Sequence, residues 1–151
     1  TEARSQMQRT VDDGTALDLF ARVATAQGGD AAVIHDPSLL PRARNTHTVL
    51  ATVGGAVTMA HARRIGEGAM RLGAGRATLE DRIDPSVGIT VLAKVGDRVE
   101  AGDPLAEIAW NDPGRLDACL SMLEGAWEFG EEAAAPVLIR QTLRSRPRPG
   151  A

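Results

Sequence analysis

Two glycine-rich turns flank a hydrophobic segment in this chain, and they constrain its fold more than any other feature. The first turn contains Gly73 and Gly75, and the second is built from the pairs Gly96-Asp97 and Gly102-Asp103. Glycine adopts left-handed backbone conformations without the clash that a Cβ brings, so these residues mark points of chain reversal. We therefore predict a helix that ends at Gly73 and strands on both sides of the Gly-Asp turns.

The N-terminal part reads as helical. Residues 1–27 carry apolar side chains at helical spacing, with a break at Gly14 and a stop at Gly28-Gly29. Pro37 and Pro41 argue against regular structure in the polar connector from Asp30 to Arg44. We place a domain boundary in this connector.

The remainder alternates strand and helix patterns and predicts an α+β domain. β-Branched residues at 46–53 indicate a strand, and 57–59 is expected to continue the same sheet. Asp112 and Pro113 suit the cap and first position of a helix. Further helices and strands are predicted as follows: a helix over 61–72, strands over 88–95 and 105–110, a buried helix face of Leu116, Leu120, Leu123 and Trp127, and an edge strand over 136–143.

Composition excludes several classes of function. The net charge is -3 and no basic stripe is present, so no nucleic-acid partner is expected. Cys119 is the only cysteine, which excludes an internal disulfide and a cysteine metal cluster, and a reduced, cytoplasmic setting is the default. No apolar run reaches the length of a membrane span, so no membrane partner or signal peptide is predicted.

No residue of the chain forms a recognisable catalytic constellation. His35, His47 and His61 lack metal-pair spacing, and Cys119 reads as a buried, inert thiol. Three acidic residues follow the first turn, and we interpret them as a solvated loop or as partners of nearby arginines. The acidic residues are Glu80, Asp81 and Asp84, and the arginines are Arg76 and Arg82. The turn from Gly73 to Arg76 follows a helix, at the negative end of its dipole, so we interpret it as structural rather than anion-binding. We predict no catalytic, substrate-binding or metal-binding residue and no cofactor.

In their order, the glycine turns and several other stretches resemble the C-terminal portion of the pyrimidine-nucleoside phosphorylase, or thymidine phosphorylase, family. The stretches that carry the resemblance are Gly14 to Phe20, Ala26 to Asp30, Asp36 to Pro41, Leu72 to Arg76, Ile83 to Gly88 and Val95 to Leu105. The resemblance implies an α/β-hammerhead, barrel-sandwich-like domain over 45–143. It also implies that 1–44 is a helical segment and linker from a preceding large domain, and we expect 144–151 to be a flexible tail.

The resemblance implies phosphorolysis of thymidine or uridine to a free base and a pentose 1-phosphate, by a homodimer. Partners would be phosphate, the pyrimidine nucleoside and the remaining helical and large α/β domains. The family's Lys-His-Ser signature is missing here, and Lys94 is the only lysine. The chain is thus expected to support the active-site cleft without being catalytic alone.

Two other hypotheses stay open. Val95 to Leu105 also resembles half of a biotinyl or lipoyl carrier domain, although Lys94 lacks the neighbours that a carrier lysine has. Alternatively, the chain is a non-covalent partner of a separately encoded catalytic half.

Overall fold

A computed structural model describes residues 2–76 and 78–142, which divide between Arg42 and Ala43 into two compact units. The first unit contains three helices: α1 (Glu2–Asp12), α2 (Thr15–Ala26) and α3 (Ala32–His35). Gly14, with φ of 81°, separates α1 from α2, and Gly28, with φ of 82°, follows α2. The predicted break and stop are both confirmed.

The connector after α2 is more regular than its prolines suggested. It contains α3 and a 3-10 turn, Pro37–Leu39. Pro37 occupies the first position of that turn, where its missing N–H costs nothing, and the Asp36 side chain accepts the Ser38 N–H. The prediction of an irregular connector was therefore wrong, because a proline that breaks a helix interior also suits a helix start.

The second unit is built on two three-stranded antiparallel sheets. One has the order β1-β5-β3, with β1 at Asn45–Leu50, β3 at Gly88–Val91 and β5 at Pro104–Trp110. The other has the order β4-β2-β6, with β2 at Gly55–Ala60, β4 at Arg98–Val99 and β6 at Trp127–Gly130. Helices α4 (Ala62–Ala69) and α5 (Pro113–Leu123) complete the unit. The α+β class is confirmed, and the described strands do not close into a barrel.

The core lies among the two sheets and α5. Ile108 on the central strand β5, Val57 on the central strand β2, and Cys119 on α5 are fully buried. The Trp127 indole N–H on β6 donates to the Ala93 carbonyl at 3.1 Å, which links the second sheet to the segment after β3. Burial of this apolar set stabilises the unit by about 25 cal/mol for each Å² removed from water.

Helix α4 packs closely on α5 through one of its two glycines. A Cβ at Gly68 would lie 3.4 Å from the Cys119 Sγ, whereas a Cβ at Gly66 would meet nothing within 4 Å. The close approach of the two helices therefore depends on Gly68 and not on Gly66. The helix then widens into a π-turn, Met70–Ala74, in which Gly73 takes a φ of 113° and ends the helix as predicted.

Four strand or helix predictions were wrong. Strand β2 joins the second sheet rather than continuing that of β1. Trp127 lies on β6, because Gly125 with φ of 66° ends the α5 region before it. Strand β3 ends at Val91, where the chain turns toward Gly96. Residues 136–142 form no strand with other described residues, and Leu143 and the predicted tail 144–151 lie outside the described residues.

Candidate functional site

Asn111, directly after β5, links three segments of the second unit through its side chain. Its Oδ1 accepts the backbone N–H of Arg44 at 2.9 Å. Its Nδ2 donates to Asp84 Oδ2 and to Ser86 Oγ, each at 2.9 Å. One amide thus joins the entry to β1, the turn before β3 and the exit of β5.

Asp84 is held as an acceptor in this arrangement. The Ser86 hydroxyl, the Ser86 backbone N–H and the Asn111 amide all donate to it, and they lower its pKa from the ordinary value of 3.8. A carboxyl with a lowered pKa is ionised at neutral pH and has no proton to donate. Asp84 is therefore suited to fixing a turn and unsuited to general acid catalysis.

The first glycine turn, at Gly73 and Gly75, is filled by groups of the protein itself. A Cβ at Gly73 would lie 2.6 Å from Nη1 of Arg115, and the Gly73 carbonyl accepts the Asp84 N–H at 3.0 Å. Gly73 lies within the π-turn at the C-terminal end of α4, which is the helix end that repels anions. These contacts are those of a structural turn.

The acidic residues near the two glycine turns are exposed or bond to backbone N–H groups close to them in the sequence. Asp81 Oδ2 accepts the Thr78 N–H at 2.9 Å, and Glu80 is exposed. Asp97 and Asp103 act alike in the second glycine region, where each accepts a backbone N–H three residues earlier, from Lys94 and Glu100, at 2.8 Å. The repeated contact explains why two Gly-Asp pairs follow one another in the sequence.

The three histidines lie on separate elements. His35 is exposed on α3, and His47 is half-buried on β1. His61 precedes α4, where its Nε2 lies 2.7 Å from Glu128 Oε1 and its backbone N–H donates to the Ala126 carbonyl. Over residues 2–76 and 78–142, no three His, Cys, Asp or Glu side chains are grouped so that they could hold a metal ion.

Cys119 and Lys94 complete the candidate nucleophiles. Cys119 is fully buried against Gly68, and burial raises the pKa of its thiol. A thiol with a raised pKa is a poor nucleophile, in keeping with the predicted inert side chain. Lys94 is exposed before the Gly96 turn.

An apolar groove of about 220 Å³ lies beside the core of the second unit. It is bordered by Leu105, Leu120, Leu123, Trp127 and Phe129, with Thr52 and Glu124 as its polar side chains. Binding sites for polar ligands need several convergent donors and acceptors, which this lining lacks.

None of the helices in the described ranges has the length and apolarity that a membrane crossing demands.

The start of α5 next to Asn111 is predictable from the sequence, whereas the links made by Asn111 are not. Asp112 Oδ1 accepts the Arg115 N–H at 3.0 Å and Pro113 begins α5, so the predicted cap is confirmed. The partners of Asn111 lie 25, 27 and 67 residues away along the chain. Local patterns carry no signal for contacts of that range.

The fold and these contacts define an α+β domain whose described polar clusters bond to its own backbone and turns. Residues 56–130 match the family model described as the pyrimidine nucleoside phosphorylase C-terminal domain. The chain belongs to the pyrimidine nucleoside phosphorylase family through this domain. The resemblance found in the sequence is confirmed.

Curated relatives match almost the whole chain. The pyrimidine-nucleoside phosphorylase of Bacillus subtilis (strain 168) is 41% identical over 142 residues, which is 94% of this chain and 33% of the relative. The pyrimidine-nucleoside phosphorylase of Geobacillus stearothermophilus is 40% identical over 91% of this chain and 32% of its own length. The thymidine phosphorylase of Burkholderia lata is 36% identical over 94% of this chain and 33% of its own length. The chain thus spans about a third of the length of these relatives.

Proposed function

We propose that this chain is the C-terminal supporting portion of a phosphorylase that cleaves thymidine or uridine with phosphate. The products are the free pyrimidine and a pentose 1-phosphate. The observation that carries the proposal is the match of 94% of the chain to phosphorylases that are about three times as long. The proposal includes a homodimeric full-length enzyme in the cytoplasm.

In this proposal the chain itself performs no chemistry. Phosphorolysis needs positive donors that neutralise phosphate and aim it at the anomeric carbon, and such electrostatic positioning supplies most of the rate. The Lys-His-Ser run that the family resemblance implies for phosphate binding is missing from this chain, and the Arg115 side chain lies against the Gly73 turn. The phosphate and nucleoside sites therefore belong to the part of the enzyme outside this chain.

The exposed apolar side chains of the N-terminal unit support the proposal that this unit is stabilised by the part of the enzyme outside this chain. None of the residues 2–42 is buried, and α1 and α2 expose large apolar side chains, among them Met7, Val11, Leu17 and Phe20. A unit of this size without a core is not expected to be stable on its own. We assign 1–44 to the preceding large domain as its helical segment and linker, 45–143 to the C-terminal domain, and 144–151 to a tail.

The test is an activity comparison between the full-length polypeptide that contains this chain and the isolated chain. Thymidine or uridine is incubated with phosphate, and release of the free base is followed by chromatography. The proposal expects phosphate-dependent release by the full-length polypeptide only. A full-length polypeptide that releases no base with either nucleoside would refute the assigned reaction.

A further inference from the structure

The first residues after β6 are held in place by contacts with Arg98 and with the turn at Gly96. The Glu131 carbonyl accepts a hydrogen bond from Nη1 of Arg98 at 3.1 Å. A Cβ at Gly96 would lie 2.9 Å from the backbone N of Ala135, so this segment passes directly over the Gly96 turn. Contacts with β4 and with the turn before it thus fix the path of the chain as far as Ala135.

Beyond this anchor the chain is extended and apolar. Val137, Leu138 and Ile139 expose 76%, 92% and 76% of their surface, and no hydrogen bond links residues 136–142 to another described residue. A short continuous apolar run with β-branched residues is typical of a strand that is covered on both faces. The described residues form no strand here, and the side chains and backbone of the segment have no partner among them.

The exposed segment lies within the region shared with the relatives. The match to the Bacillus subtilis enzyme spans 142 residues of the 151, so residues 137–139 fall inside it wherever the match begins. About two thirds of that relative's length has no counterpart in this chain. A full-length polypeptide of that size would contain further chain against which this segment can pack.

We propose that Val137, Leu138 and Ile139 form a β-strand that docks into the part of the full-length phosphorylase outside this chain. The inference rests on the proposed function. Docking would bury the three side chains and pair the backbone of 136–142, which ties the end of the C-terminal domain to the catalytic part. The Gly96 turn and Arg98 direct the segment to that contact.

Hydrogen exchange measured by mass spectrometry, on the full-length polypeptide and on the isolated chain, tests the docking. Amides of 137–142 are expected to exchange at least about tenfold more slowly in the full-length polypeptide, because pairing protects them. Equal rates in both proteins would overturn the proposal. Protection in the isolated chain that grows with its concentration would also overturn it, in favour of pairing between copies of this chain.

Two substitutions supply a matched control. Leu138→Lys is expected to remove the protection in the full-length polypeptide, whereas Leu79→Lys changes an equally exposed leucine (88%) and should leave it intact. In the isolated chain both variants are expected to be nearly neutral, as surface substitutions usually are. Full protection in Leu138→Lys refutes the docking, and thymidine phosphorolysis by the wild-type full-length polypeptide tests the proposed function independently.

Discussion

The two glycines Gly66 and Gly73 are expected to respond oppositely to alanine, although only seven positions separate them. Gly66 is exposed inside α4, and an added Cβ would meet nothing within 4 Å. Alanine there gains about 0.5–1 kcal/mol of stability from the lost flexibility of the unfolded chain. Gly73 has a φ of 113°, a conformation that costs an L-residue about 1–3 kcal/mol.

Contact with Arg115 adds little to the cost at Gly73. The Nη1 atom that a Cβ would approach to 2.6 Å is the end of a long side chain and moves aside readily. The backbone penalty therefore dominates, and we expect Gly73→Ala to lose about 1–3 kcal/mol while Gly66→Ala gains about 0.5–1.

Urea unfolding of the chain, followed by tryptophan fluorescence, measures both changes. Trp127 is a suitable probe because its indole is buried and hydrogen-bonded to Ala93 within the same unit. Gly66→Ala serves as the control for the effect of alanine itself. A Gly73→Ala variant as stable as the wild type would refute the positive φ assigned to this helix end.

Three further outcomes are expected. Asn111→Ala should lower the free energy of unfolding by about 1–2 kcal/mol in the same assay, because three hydrogen bonds are lost, and an unchanged value would contradict the proposed link between segments. Asp84 has a lowered pKa in the folded protein, so its contribution to stability is present above its unfolded pKa and is lost as the pH falls through its folded pKa. Asp84→Asn should therefore lose less stability than the wild type on acidification below about pH 4, as measured by urea titrations at several pH values. Cys119 should resist alkylation by iodoacetamide until urea unfolds the chain, and mass spectrometry that finds rapid native modification would contradict its burial.

Helix starts and helix ends were predictable from the conformational preferences of single residues. Asp112 and Pro113 begin α5, and Gly14, Gly28 and Gly73 break or end helices, as expected from their own conformational preferences. These features depend on residues within one turn of each other, so the sequence displays them directly.

Features that depend on distant contacts were not predictable in the same way. Trp127 continues the apolar spacing of α5, yet the positive φ of Gly125 and pairing with β2 place it on a strand. The division of β1 and β2 between two sheets follows from pairing with β5 and β6, which lie far along the chain. Asn111 was missed as the main polar link for the same reason.

Phosphorus NMR of the isolated chain, incubated with thymidine and inorganic phosphate, tests the central claim most directly. That claim is that the chain supports a phosphorylase and holds none of its reacting groups. We expect no pentose 1-phosphate signal above that of a protein-free control, while the full-length polypeptide produces the signal under the same conditions. Catalytic turnover by the isolated chain would contradict the account.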